Sequence, residues 1–117
     1  MLMTGTAILM ILTSGTPSDV GYEPLLEGRD AAAVEEIQAN TELAPDDPVK
    51  LINLGIAYAR QGRTEEAREM FEEAMRGSDR LVLETADGEW KDSRHLARLA
   101  LEMLNRGEFR TGRMAAR

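Results

Sequence analysis

The 117-residue sequence contains no cysteine, which excludes disulfide staples, thiolate metal sites, a cysteine nucleophile and a lipid-anchored N-terminal cysteine. Aromatic residues make up only 4% of the chain (Tyr22, Tyr58, Phe71, Trp90 and Phe109). Any core must therefore come from Leu, Ile, Ala and Met, a composition that suits helices better than a β-sandwich. Basic residues are outnumbered 14 to 21, for a formal net charge of −7, so a nucleic-acid backbone is excluded as a general partner. Four prolines and ten glycines are few enough for an ordered chain, and the length suits one domain.

The charge is unevenly spread. Residues 1–18 carry no charged side chain, residues 19–92 carry a net −11, and the chain from Ser93 onward carries a net +4. The neutral leader contains the apolar run Ala7-Ile8-Leu9-Met10-Ile11-Leu12, followed by small residues from Thr13 to Ser18. A spanning helix needs roughly 20 apolar residues, so this run predicts no transmembrane span. Its order, apolar and then small residues, is that of a secretory signal, although no Lys or Arg precedes it. The expectation is a periplasmic or secreted protein; the alternative is a cytoplasmic one with an apolar arm. The bias of 12 Arg to 2 Lys fits a GC-rich bacterial genome.

Shifting the sequence by 34 residues pairs Gly21 with Gly55, Gly28 with Gly62, Ala33 with Ala67 and Ile37 with Phe71. The second copy is the clearer. Pro48 presets φ at a first helical position, with Asp46 and Asp47 placed to accept from free N–H groups. Leu51, Leu54, Gly55 and Tyr58 then share one helical face, and Gly62 supplies a left-handed stop. Thr64 is the expected N-cap of the next helix, whose Ala67, Met70, Phe71, Ala74 and Met75 keep helical spacing.

Asn53-Leu54-Gly55, Ala57-Tyr58, Gln61-Gly62, Glu66-Ala67, Phe71 and Ala74 together resemble the tetratricopeptide repeat. Leu51 stands where that family usually has Trp, and Asp79 where it has a closing Pro. Residues 19–47 form a degenerate copy, with Pro24 limiting any first helix to a short piece and Asn40 at a position usually small and apolar. A third copy follows an insertion of about 11 residues: Leu96, Leu99, Ala100, Met103 and Gly107 take the places of Leu51, Leu54, Gly55, Tyr58 and Gly62. Asp92 or Ser93 would cap its helix. Within the insertion, β-favouring pieces flank Asp87-Gly88, a hairpin-turn dipeptide.

The expected fold is therefore all-α: an antiparallel helix-pair, tetratricopeptide-like array of about two and a half repeats, with a small β-hairpin insertion before the last helix. The expected helices cover 30–41, 47–60, 64–76 and 93–106. The organisation is a leader (1–18), a helical domain (19–110) and a basic tail (111–117). The domain divides into a degenerate repeat (19–47), a full repeat (48–79), the hairpin (80–92) and a half repeat (93–110).

No constellation for catalysis stands out. His95 is the only histidine, and Ser93 at i−2 on a helix faces another direction. The acidic loop of Glu84, Asp87, Glu89 and Asp92 lacks calcium-loop spacing, and the glycines form no phosphate cradle. An enzyme, a metal and a cofactor are not expected. The resemblance implies instead a scaffold for protein–protein interaction, binding a peptide or helix on the concave face lined by first helices. Here that face would comprise Val49, Ile52, Asn53, Ile56, Ala59 and Arg60, with Arg94, Ala97 and Arg98 from the last helix. Some relatives bind a C-terminal carboxylate through Lys, Asn and Arg; only Asn53 fits such a site, and Val49, Ile52 and Ile56 argue against it. An apolar groove suits an amphipathic helix or extended apolar segment. The competing reading is a structural accessory whose groove is covered by its own N-terminal segment or hairpin and has no peptide ligand. Trp90 either folds back to plug the end of the stack or, with the hairpin, forms a partner surface. The incomplete ends of the array predict a homo-oligomer or docking on a larger partner.

Overall fold

A computed structural model describes residues 20–77, 81–85 and 87–109; the expectations for the leader and for the tail lie outside these residues. In chain order the elements are α1 (Tyr22–Leu26), α2 (Asp30–Ala39), α3 (Pro48–Arg60), α4 (Thr64–Arg76), β1 (Val82–Glu84), β2 (Trp90–Asp92) and α5 (Ser93–Asn105). The fold is mostly helical with a two-stranded antiparallel hairpin before the last helix, consistent with the expected tetratricopeptide-like array.

The 34-residue period is physical. α1 and α3 each end in the same left-handed closure: the N–H groups of Gly28 and Arg29 bond the carbonyls of Leu25 and Pro24, as those of Gly62 and Arg63 bond Ala59 and Tyr58. Gly28 and Gly62 sit at φ +79° and +82°, where a side chain would be strained. Each turn then delivers an arginine at the head of the next helix, Arg29 before α2 and Arg63 before α4. The expected Thr64 cap is therefore displaced: Arg63 holds the cap position, no side chain caps α4, and Thr64 is its first helical residue. Asp47 and Asp92 do cap, accepting from Val49 N–H at 2.8 Å and from Arg94 N–H at 2.6 Å.

The inner surface of each pair rests on one missing side chain. A Cβ on Gly55 would lie 2.3 Å from Phe71 Cε1, so the ring packs directly on the backbone of α3. The repeat-related pair does the same on a smaller scale, with a Cβ on Gly21 falling 2.8 Å from Ile37 Cδ1. Phe71 and Ile37 are fully buried, and Phe109 stacks on Phe71 with centroids 6.1 Å apart. Ala100 replaces Gly55 in the half repeat and is also fully buried.

α3 packs against α2, α4 and α5 and is buried on every side from Pro48 to Ala59. Its one charge in that span, Lys50, is satisfied locally: Nζ donates to Asn40 O at 2.8 Å at the end of α2. Asn40 explains its departure from a small apolar residue, since its Oδ1 accepts from Glu42 and Leu43 N–H and turns the chain out of α2.

The hairpin pairs Val82 with Asp92, Leu83 with Lys91 and Glu84 with Trp90. Thr85 N–H closes on Glu89 O at 2.8 Å, so the connection is the three residues 86–88, with Gly88 at φ +88°, rather than a two-residue turn.

The Gly55–Phe71 contact generates a sharp expectation. Gly55→Ala must push the Phe71 ring off α3 and should destabilise the fold by about 1–3 kcal/mol, despite alanine's better helix propensity. A lowered urea midpoint with an unchanged slope is the expected result, and an unchanged or raised midpoint would show that the ring has room to move.

Candidate functional site

The residues expected to line the concave face are brought together on α3 and α5, but not as an open groove. Val49, Ile52, Asn53, Ile56, Ala59 and Ala97 are all 0–1% exposed. α3 is packed by α2, α4 and α5, and the chain's own residues 20–25 meet it at two polar contacts. Asn53 Nδ2 donates to Val20 O at 2.8 Å, and two helical turns later Arg60 Nη2 donates to Leu25 O at 2.8 Å. Arg60 is held there by Asp30, its Nε lying 3.1 Å from the carboxylate. Val20 and Leu25, the apolar residues of this segment, are buried with it. Asn53 Oδ1 is fully buried without a partner, a loss of about 1–3 kcal/mol for an acceptor removed from water.

The arginines of α5 divide. Arg94 is not at the rim of a groove; its Nη2 donates to Gly77 O at 2.7 Å and caps the end of α4. Arg98 is exposed. Cover by the N-terminal segment was one of the two readings the sequence left open, but which residues provide it was not legible because the short helix carries too few residues to show a period. The signal was its place in the repeat, with Val20 and Leu25 at the positions of Leu54 and Ala59.

Trp90 does not plug the stack. It is 61% exposed, and the plug is Leu83, 1% exposed on the opposite face of the ribbon. Alternation along the strands puts Val82, Glu84, Trp90 and Asp92 on the outward face, where Val82 is 67% exposed. Val82 and Trp90 are thus diagonal neighbours in an apolar pair open to solvent.

His95 is exposed, and the Ser93 hydroxyl is spent as an acceptor from Leu81 N–H at 3.1 Å, tying the hairpin to the start of α5. Among the described residues no group of three or more His, Asp or Glu could hold a metal ion, and no helix is long and apolar enough to cross a membrane.

Paired helices closed by left-handed turns and repeated at a fixed interval define a helical-repeat protein. Residues 50–82 match the family model of the tetratricopeptide repeat. A 62-residue stretch is 40% identical to the cellulose synthase operon protein C of Komagataeibacter xylinus. It is 37% identical to the protein of the same name from Komagataeibacter sucrofermentans. Each match takes in 53% of this chain and 5% of the relative, so the chain covers about a twentieth of the curated relatives it matches. No solved structure matches the chain significantly.

One charge in the hairpin loop is tuned. The Thr85 hydroxyl donates to the Asp87 carboxylate, which also accepts from Glu89 N–H at 3.3 Å. The Thr85 bond is the main cause holding the Asp87 carboxyl below the usual carboxylate range. A depressed folded value means that the stabilisation is complete above the ordinary carboxylate pKa and lost as pH falls through the folded one. Asp87→Asn should therefore lower the thermal midpoint at neutral pH, with the gap to wild type closing in acid. A gap that is constant with pH would refute the proton linkage.

Proposed function

We propose that this chain is a protein–protein interaction module that engages its partner through the outward face of the hairpin, with Trp90 as the anchor. The observation carrying this reading is a large indole 61% exposed beside Val82. Both lie on the outward face of the hairpin, away from the core that Leu83 enters. Such aromatic anchors dominate interface energetics when a partner desolvates them. Tetratricopeptide repeats generally bind protein partners, and the matched relatives are named for a cellulose synthase operon. A component of such a polysaccharide-synthesis machinery is the partner class to test first.

The concave-face mode is disfavoured for the chain at rest because Asn53 and Arg60 are bonded to its own main chain. That occupancy supports a second reading, a structural accessory with a self-filled groove. The apolar leader supports export, and a mature N-terminus between residues 14 and 18 would establish it.

Crosslinking pull-down from the native organism distinguishes the readings. Trp90→Ala should weaken capture of the specific partner by about tenfold or more, a change of at least 1.4 kcal/mol, with the helical circular dichroism unchanged. Equal capture by wild type and Trp90→Ala sinks the hairpin reading. The absence of any specific partner favours the accessory.

A further inference from the structure

We infer that the face of α3 between Asn53 and Arg60 is a binding site for a peptide main chain, filled in the single chain by residues 20–25 and able to take the same segment from a second copy. Both polar contacts reach backbone oxygens, Val20 O and Leu25 O, each at 2.8 Å. Main-chain recognition of this kind reads no side chain. Selectivity comes from the apolar seats beneath, where Leu25 is fully buried and Val20 is 5% exposed. The site also has an unused acceptor, since Asn53 Oδ1 is fully buried and unpartnered beside the docked carbonyl.

The occupant is short, and its other ties are to α2, where Gly21 donates its N–H to Glu36 Oε2 at 3.3 Å and packs on Ile37. α1 has five residues, too few to be stable as a helix alone, and its Tyr22 and Leu26 are 40% and 50% exposed. It joins α2 through Glu27, Gly28 and Arg29, all exposed, and a Cβ on Gly28 would meet nothing within 4 Å. The joint is held by the backbone bonds of Gly28 and Arg29 N–H to Leu25 O and Pro24 O and by an ion pair between Glu27 and Arg29 with both side chains more than half exposed. A segment on such a joint can move as a unit without disturbing the α3–α4 core. Seating it on a second copy reproduces every contact it makes at home, which is the condition for exchange of an element between identical chains. Tethering gives the resident segment an effective concentration of the order of millimolar, so exchange needs either a high chain concentration or a loosened segment. The hairpin is remote from this seat, and its Trp90 contributes nothing to it.

The test uses the full-length chain carrying Leu25→Asp, which loosens the segment, and a synthetic peptide of residues 20–28 as the probe. The expected result is saturable binding with amide shifts at Asn53 and Arg60, and binding to wild type at least 100-fold weaker because the site is already filled. A folded Leu25→Asp chain that does not bind the peptide overturns the inference, as does equal binding by wild type. If Leu25→Asp does not fold, hydrogen exchange on wild type decides. The Leu25 and Glu27 amides, bonded to Gly21 O and Glu23 O, should exchange at least 100-fold faster than those of α3. Exchange of both sets at one global rate overturns the inference.

Discussion

The architecture depends on a ring lying against a bare backbone. Because Gly55 has no side chain, Phe71 packs directly on α3, and that approach fixes the spacing and angle of the α3–α4 pair. Gly21 and Ile37 repeat the arrangement 34 residues earlier with a smaller side chain, which suits the much shorter α1. Phe109 then stacks on the outer side of Phe71, so one fully buried ring links the full repeat to the end of the half repeat. Dispersion contacts of this density are lost outright when a void or clash intervenes, which is why glycine is required at that position.

With α3 held between its neighbours, its polar groups need partners from within the chain. Lys50 finds the carbonyl end of α2, Asn53 and Arg60 find the main chain of residues 20–25, and Asp30 steadies Arg60. These bonds join the degenerate first repeat to the full one. They also fill the face that would otherwise be a groove. Packing and polar satisfaction are thus met largely by the same contacts, although Asn53 Oδ1 stays buried without a partner.

The hairpin obeys a different rule. Its inward residue, Leu83, is anchored in the core, while Ser93 N–H and Oγ bond the backbone of Leu81 and lock the ribbon to α5. Strand alternation then forces Trp90 outward. The ribbon therefore presents an indole to solvent, a placement that adds nothing to the core and is the reason the interaction reading rests there.

Much of this was legible from residue order. The boundaries of α2 to α5, the caps at Asp47 and Asp92, the stops at Gly62 and Gly107 and the hairpin all follow from local chemistry: preset φ, side-chain acceptors, left-handed glycines and alternation. The departures have separate causes. Thr64 lost its cap to Arg63 because the closure of the preceding helix extends one residue further. Trp90 faces solvent and Leu83 the core because which ribbon face meets the core is set by docking. The face of α3 is closed by contacts over long sequence separations, from α5 and from residues 20–25. Local periodicity and turn chemistry are properties of neighbouring residues, and the sequence alone determined them. Which apolar face stays open depends on which distant segment reaches it first, and only the tertiary structure decided that.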